Sequence, residues 1–190
     1  MQSTEFFFQD KLAVHVFPTR AEMGRYAAHE AAEQMRALLK QKDEINVIFA
    51  AAPSQNEVLD TLCIEPDIDW SRVNAFHMDE YIGLDASHPA GFRQFLNRAI
   101  FTKLPFKSIN LINGNCADPQ QEADRYGALL DSFPPDIVML GVGENGHIAF
   151  NDPPKADFND PDNVRVVELE EKCRNQQVHD GCFSAIELVP

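Results

Sequence analysis

The chain has 190 residues, of which 44% are hydrophobic and 24% are charged, a composition that is typical of folded globular proteins and argues against disorder. Its 30 acidic residues against 16 basic ones give a net charge of −14, which repels phosphate backbones and anionic lipids, so we expect neither nucleic acid nor a membrane as a partner. No apolar run could span a membrane, no secretory signal is visible, and the four cysteines form no CxxC pair, so we expect free thiols and a cytoplasmic location.

Strand-like and helix-like segments alternate along the chain, and three of the predicted helices begin at recognisable caps. Thr19 with Glu22 and Ser54 with Glu57 each form a predicted capping box. Asp118 precedes a proline at the start of another helix. The pattern predicts strands over residues 12–17, 45–51, 73–78, 108–112 and 136–140, and helices from 19 to about 40, from 54 toward 62, over 88–104 and from 118 onward.

This alternation predicts an α/β fold with a doubly wound, mainly parallel sheet and helices on both faces, as in Rossmann-like proteins. We see no linker or repeat and assign residues 1–190 to a single domain. Ligands of open parallel sheets bind beyond the carboxyl ends of the strands. Three segments that follow predicted strands are therefore candidates for a site, namely 50–56, 79–83 and 141–152.

Residues 141–147 read GVGENGH and contain the GxGxxG pattern of dinucleotide-binding loops. That function requires a helix next, and the prolines at 153–154 disfavour a long one, so we expect no nicotinamide cofactor. Asn145 and Asp152 flank His147, which makes this histidine a candidate general acid or base held by a polar partner. The alternatives are that the glycines only form a tight turn and that His147 is structural or solvated.

Asp79 and Glu80 come directly after a buried strand. Neighbouring residues of a strand point to opposite faces, so we expect one carboxylate to enter a cleft as a base and the other to bind backbone or a cation. The alternative is a solvated acidic turn. A metal site made of His77, Asp79 and His147 is conceivable, but the spacing does not require one and we predict none.

Residues 50–56 pass from a strand into a helix through small side chains. Backbone N–H groups at such a helix start can bind an anion, and Ala52, Ser54 and Gln55 are the candidate contacts. The alternative is that the Ser54 hydroxyl only caps the helix. The glycines that are typical of phosphate loops are missing.

Segments 76–84 (FHMDEYIGL), 110–115 (NLINGN) and 140–153 (LGVGENGHIAFNDP) resemble, in this order, the glucosamine-6-phosphate deaminase/isomerase family, whose wider relatives include 6-phosphogluconolactonases. The resemblance implies a modified doubly wound α/β fold, often in a homo-oligomer. It implies an aldose–ketose isomerisation in amino sugar catabolism, which converts glucosamine 6-phosphate to fructose 6-phosphate and ammonia without a metal or other cofactor.

The resemblance also implies roles for individual residues. Asp79 matches the base that moves a proton between C2 and C1, and His147 matches the histidine that assists opening of the sugar ring. Asp152 stands where the family usually has a glutamate that orients this histidine, and Asn145 where many members have an aspartate. The residues that we expect to bind substrate are Ala52, Ser54, Gln55, Glu80, Gly143 and Arg174.

Two departures from the family concern the phosphate group. The family's Gly/Ser/Thr-rich loop is replaced by residues 51–55, which leaves Ser54 as the best remaining ligand, and Arg174 is a possible substitute for an arginine that is not matched. The family continues beyond Pro190 with further strands and a lysine, so we expect a truncated chain.

Three other functions remain open from the sequence. They are a 6-phosphogluconolactonase-like hydrolase, an isomerase of another phosphorylated or unphosphorylated sugar, and a non-catalytic sugar-phosphate sensor. The enzymatic interpretation requires that Asp79 and His147 meet in one cavity at the same edge of the sheet.

Overall fold

The computed structural model describes residues 3–153 and 155–190, in which strands and helices alternate. In chain order the elements are β1 (Glu5–Gln9), β2 (Leu12–Val16), α1 (Arg20–Leu39), β3 (Ile45–Phe49), α2 (Asn56–Leu62), β4 (Val73–His77), α3 (Phe92–Leu96), β5 (Ser108–Asn110), α4 (Pro119–Ser132), β6 (Ile137–Val138) and α5 (Glu171–His179). Met1, Gln2 and Pro154 lie outside the described residues. Pro154 is one of the two prolines that disfavour a long helix after the glycine segment. Met1 and Gln2 begin the N-terminal segment in which no secretory signal is visible.

The central sheet has four parallel strands in the order β5–β4–β3–β6, and β1 and β2 form a separate antiparallel hairpin. The two strands at the centre of the sheet are five residues long and largely apolar, as expected for strands covered on both sides. The predicted α/β fold with a mainly parallel sheet is confirmed.

Helices cover both faces of this sheet. Val47 of β3 pairs with Ala75 of β4, and both belong to the same buried cluster as Met35 of α1. On the opposite face, the ring of Phe76 lies edge-on to that of Tyr126 from α4, with centroids 6.2 Å apart. The alternation of side chains along each strand therefore gives the sheet two apolar faces, and the crossover helices bury them.

Two of the three predicted caps are confirmed. The Thr19 hydroxyl accepts a hydrogen bond from the backbone N–H of Glu22, and Asp118 accepts from two N–H groups in the first turn of α4. The predicted box at Ser54 is wrong, because Pro53–Gln55 form a short 3-10 turn and α2 begins only at Asn56 without a side-chain cap. Glu57 pairs instead with the guanidinium of Arg20, at 2.8 Å.

The third predicted helix is shorter than its apolar pattern suggested. Residues 88–91 form turns, α3 starts at Phe92, and the chain then continues as one π-helical stretch over Asn97–Phe101. β1 and α5 were not predicted from the sequence. No helix follows the glycine segment within residues 148–153 and 155–169, so the helix that a dinucleotide loop requires is missing there.

A search of the helices in the described residues found none with the length and apolar character needed to cross a membrane.

Candidate active site

A cavity of about 370 Å³ lies at the edge of the sheet where β3, β4 and β6 end. Each of the three candidate segments contributes to its wall, with Ala52, Ser54 and Gln55 after β3, Asp79 after β4, and Gly143 and His147 after β6. The cavity therefore brings together six of the residues that the sequence singled out. Glu80, Asn145, Asp152 and Arg174 do not line it.

Asp79 presents a carboxyl group that has lost most of its water. This desolvation raises the pKa of the side chain from 3.8 to about 7, and the negative charge of Glu80 adds to the shift. Near neutral pH the group is therefore divided between its two protonation states. A carboxyl group in this condition can both accept and return a proton.

Glu80 has a different and structural task. Its side chain is 1% exposed and accepts hydrogen bonds from the backbone N–H groups of Phe92 at 3.1 Å and Arg93 at 3.0 Å, at the start of α3. The guanidinium of Arg93 lies 3.6 Å away. The two adjacent carboxylates thus have separate roles, and Glu80 is not among the contacts that the cavity offers a substrate.

His147 is 9% exposed and is held by Asn145. The side-chain oxygen of Asn145 lies 2.7 Å from Nδ1 of the imidazole and accepts from the backbone N–H of His147 at 3.1 Å. The Asn145 amide group faces two carboxylates, so its oxygen must face the ring, and Nδ1 carries the proton in the neutral imidazole. Within the described residues no group hydrogen-bonds to Nε2, so its lone pair is available on a ring that lines the cavity.

Asp152 and Glu170 hold Asn145 in turn. The amide nitrogen of Asn145 donates to a carboxylate oxygen of each, at 2.9 Å in both cases, and the backbone N–H of Glu170 donates to the second oxygen of Asp152 at 2.7 Å. The Asp152 carboxylate is 3.5 Å from Nδ1 of His147, which is long for a hydrogen bond. Asp152 therefore acts on His147 mainly through Asn145.

Sequence reasoning missed Glu170, which lies 18 residues beyond Asp152. No local motif marks Glu170, because its partners Asn145 and Asp152 lie in an earlier loop and a long irregular segment separates them from it.

Gly143 lies directly against the imidazole. A Cβ atom at this position would overlap the Cε1, Nε2 and Nδ1 atoms of His147. The backbone N–H of Gly143 also donates to the carbonyl of His147 at 2.9 Å. A glycine is required at position 143 because the ring packs directly on the backbone there. Gly143 therefore helps to determine the position of the His147 ring.

The turn after β3 forms another part of the cavity wall. It contains one 3-10 turn of three residues, Pro53–Gln55, preceded by Ala52. Within the turn, the Gln55 amide lies 3.5 Å from the Ser54 hydroxyl, at the limit for a hydrogen bond, and the guanidinium of Arg20 donates to the carbonyl of Pro53 at 2.9 Å. The predicted helix over this segment therefore begins as a 3-10 turn at Pro53 that continues into α2, without the predicted side-chain cap.

Arg174 lies apart from the cavity. Its guanidinium donates to the backbone carbonyls of Ile186 at 2.8 Å and Val189 at 3.3 Å. The expectation that it contacts a substrate is not supported, because these carbonyls hold the guanidinium against the C-terminal segment of the described chain.

Aromatic rings close the floor of the cavity. Phe92 and Phe150 line it, and both pack against the ring of Tyr81, with centroids 4.7 and 5.4 Å apart. The Tyr81 hydroxyl donates to the side chain of Gln177 at 2.9 Å. Aromatic rings therefore line the same cavity as the buried carboxyl group of Asp79.

His77 does not contribute a ligand to this cavity. It is 1% exposed, and its Nε2 accepts a hydrogen bond from the backbone N–H of Ile112 at 2.9 Å. Burial lowers the pKa of the imidazole to about 4, so the ring is neutral at ordinary pH. The conceivable metal site of His77, Asp79 and His147 therefore lacks one of its ligands.

Another group could in principle hold a metal ion. The ligand atoms of His147, Asp152 and Cys173 lie within 4.8 Å of one another and all three residues are buried. Burial, with the nearby charge of Asp152, raises the pKa of the Cys173 thiol to about 12, which disfavours the thiolate that a metal would bind. Because the other two residues are already engaged in the network around Asn145, we assign them to that network.

Comparisons with known proteins identify the family that this chain resembles. The model of a family described as glucosamine-6-phosphate isomerases/6-phosphogluconolactonase matches residues 18–178. The glucosamine-6-phosphate deaminases of Exiguobacterium sp. and Lysinibacillus sphaericus are each 40% identical to the chain over 124 residues, or 65% of its length. These matches cover 46% and 54% of the two relatives, so the chain spans about half the length of the curated relatives it matches.

Solved structures agree with this assignment. A monomeric glucosamine-6-phosphate deaminase aligns with a TM-score of 0.79 at 28% identity, over 90% of this chain and 70% of its own. A 6-phosphogluconolactonase from Plasmodium vivax shares the fold, with a TM-score of 0.69 at 15% identity, over 78% of this chain and 54% of its own. Since the family model covers most of its length, the chain belongs to the glucosamine-6-phosphate isomerase/6-phosphogluconolactonase family.

Proposed function

We propose that the chain carries out the reaction for which its deaminase relatives are named, the conversion of glucosamine 6-phosphate to fructose 6-phosphate with release of ammonia. The main supporting observation is that one cavity contains both a carboxyl group with a pKa of about 7 and an imidazole with a free Nε2. Isomerisation of an amino sugar needs these two functions.

The imidazole of His147 acts first, on the closed ring of the sugar. Opening the ring requires a proton to leave the anomeric hydroxyl and another to reach the ring oxygen. With Nδ1 bound to Asn145, the free Nε2 can accept the first of these protons and deliver it again. The network of Asn145 fixes the tautomer and the orientation that this task requires.

Asp79 acts next, on the open-chain sugar. It takes the proton from C2 and returns it to C1, while one proton leaves the amine nitrogen and one reaches O1, so that the C1 aldehyde becomes an alcohol and the C2 amine becomes an imine. Because desolvation places its pKa at about 7, the carboxylate is a stronger base than an exposed aspartate, and its acid form remains accessible. Hydrolysis of the resulting imine releases ammonia, and the proposed reaction uses no metal or other cofactor.

The test measures release of ammonia and formation of fructose 6-phosphate from glucosamine 6-phosphate by the 190-residue chain. Loss of a required general base should lower turnover by about a hundredfold or more in the Asp79→Asn variant. The Asp60→Asn variant is the matched control, since this exposed carboxylate on α2 lies away from the cavity wall.

Undiminished ammonia release by Asp79→Asn would overturn the role of Asp79. Hydrolysis of 6-phosphogluconolactone in place of deamination would identify the chain as a lactonase on the same fold.

We also infer a cytoplasmic location and a homo-oligomeric state. The four free cysteines support a reducing compartment, and the oligomer is an expectation from the family resemblance. The aligned deaminase with a TM-score of 0.79 is described as monomeric, so light scattering is needed to measure the mass of the chain in solution.

A further inference from the structure

Two adjacent glutamines near the end of α5 line the same cavity as Asp79. The side-chain oxygen of Gln176 accepts a hydrogen bond from the backbone N–H of Glu144 at 3.2 Å. The side-chain oxygen of Gln177 accepts from the Tyr81 hydroxyl at 2.9 Å. The end of α5 is therefore tied to two strand-end segments of the site, the one after β6 and the one after β4.

The backbone of Gln177 is also held in place. Its carbonyl accepts hydrogen bonds from the backbone N–H groups of Cys182 at 2.9 Å and Phe183 at 3.3 Å, in the turn that ends α5. The ring of Phe183 packs edge-on against that of Tyr81, with centroids 5.4 Å apart. The same turn thus fixes the backbone of Gln177 and packs against the residue that binds its side chain.

The Tyr81 hydroxyl sets the orientation of the Gln177 amide. Tyr81 is 3% exposed, and a buried hydroxyl hydrogen needs an acceptor. Among the described residues that acceptor is the Gln177 oxygen, and a reversed amide would leave the hydrogen without one. The two N–H groups of Nε2 are therefore on the branch of the amide that does not face Tyr81, on a side chain that lines the cavity.

Tyr81 also connects this amide with the carboxyl group that is proposed to move the proton. Burial raises the pKa of the Tyr81 hydroxyl, and the negative charge of Asp79 contributes to the same shift. A charge has this effect only at short range, so the hydroxyl lies near the carboxyl group. Because the hydroxyl stays protonated at the pH of an enzyme assay, it remains a donor to Gln177.

Pockets for small ligands use a few placed polar groups to fix the ligand's orientation, and the oxygens of a sugar phosphate accept hydrogen bonds. A donor that is fixed before the ligand arrives loses little conformational freedom on binding. We propose that Gln177 binds the substrate by donating from Nε2 to an oxygen of the sugar phosphate, and that Tyr81 is the positioning residue that orients its amide. This inference rests on the proposed function, because it names a binding residue of the same site.

The experiment compares kcat and KM for glucosamine 6-phosphate between the chain and its Gln177→Leu variant, which removes the amide at a similar side-chain size. We expect KM to rise by about fivefold to tenfold, as for the loss of one hydrogen bond, with kcat unchanged. Gln177→Glu should raise KM further, because a carboxylate has no N–H to donate and repels the substrate oxygen. Gln34→Leu, at an exposed position of α1, is the matched control and should leave both constants unchanged.

Tyr81→Phe tests the positioning role, since it removes only the hydroxyl. We expect KM to rise by about threefold to fivefold, because the amide is no longer held in one orientation. In the Gln177→Leu background the same change should have no further effect on KM, since the group that it orients is gone. Effects that multiply in the double variant would assign Tyr81 to packing and overturn its positioning role.

Two inhibitors identify the oxygen that Gln177 contacts. A weaker inhibition by glucosamine in Gln177→Leu than in the parent would assign a hydroxyl oxygen of the sugar. A weaker inhibition by inorganic phosphate would assign a phosphate oxygen. Equal inhibition of both proteins by each compound would count against a direct contact.

Ammonia release by the parent chain separates this inference from the proposed function. Turnover by the parent, with an unchanged KM in Gln177→Leu, would overturn the inference alone. If the parent releases no ammonia, the proposed function fails, and the Kd of glucosamine 6-phosphate from calorimetry takes the place of KM. A higher Kd in Gln177→Leu would then support the binding role, and an equal Kd would overturn it as well.

Discussion

The two walls of the cavity differ in how firmly the chain holds them. On the side that follows β6, Asn145 makes four hydrogen bonds, two with His147 and one each with Asp152 and Glu170. On the side that follows β3, the Ser54 hydroxyl has one marginal contact, with Gln55. Both walls stand at the carboxyl ends of neighbouring strands, so the sheet alone does not produce the difference.

This contrast distinguishes the residues that hold the imidazole in place from those that only complete the cavity wall. A network of charged and amide groups keeps the imidazole in one tautomer and one orientation, which a proton transfer requires. The turn of small residues contributes to the cavity wall, and within the described residues it makes no hydrogen bond to the imidazole.

Among the variants that test this contrast, Gly143→Ala is expected to have the largest effect, which is a loss of turnover. The added methyl group would overlap the imidazole of His147 and push the ring away from its partner Asn145. A displacement of about 1 Å at a reacting group lowers turnover by about a hundredfold. The measurement is the rate of ammonia release, together with the NMR signals of the imidazole.

Gly127→Ala is the control for that variant. Gly127 lies in α4, and a Cβ atom there would meet nothing within 4 Å. The change should leave turnover unaltered and stabilise the chain by about 0.5–1 kcal/mol through helix propensity. Equal activity of the two variants would show that Gly143 does not position the histidine.

A smaller effect concerns the stability of the chain as a function of pH. Asp79 has a raised pKa of about 7 in the folded chain and 3.8 when unfolded, so its contribution to stability is complete below pH 3.8 and is lost as pH rises to about 7. Asp79→Asn removes this loss. We expect the variant to gain on the order of 2 kcal/mol in free energy of unfolding relative to the parent between pH 5 and pH 9.

Glu122→Gln is the control of opposite sign. Hydrogen bonds from Arg125 lower the pKa of Glu122, so this carboxylate stabilises the chain above its unfolded value of 4.5 and loses that effect as pH falls. The variant should be destabilised at pH 7 and less so at pH 3, by denaturant titration. A gain for Asp79→Asn that did not depend on pH would contradict the proposed desolvation.

The position of the site could be predicted from the sequence because it depends on patterns that are local. Apolar runs mark the strands, and the rule for parallel sheets places the segments after β3, β4 and β6 at one edge. The alternation of side chains also predicted that Asp79 and Glu80 have different roles. Which of them enters the cavity could not be predicted, since the N–H groups that bind Glu80 belong to α3.

Other features depended on contacts between distant residues. The Ser54–Glu57 pattern has the form of a capping box, but Glu57 pairs with Arg20, 37 residues earlier in the chain, and this pairing requires α1 and α2 to pack together. Glu170 became a partner of Asn145 only through the course of the irregular segment between them. Local patterns carry no information about either contact.

The smallest of these effects tests how far the rigid wall extends. Glu170→Gln keeps an oxygen that can accept from Asn145 but removes one of the two charges that hold the amide. We expect kcat to fall by about tenfold, since charge-assisted hydrogen bonds are roughly twice as strong as neutral ones, and KM to stay unchanged because Glu170 does not line the cavity. Glu171→Gln, at an exposed neighbour on α5, is the matched control and should leave both constants unchanged. A rise in KM without a change in kcat would assign Glu170 to the folding of the wall and would leave Asp152 as the partner that positions Asn145.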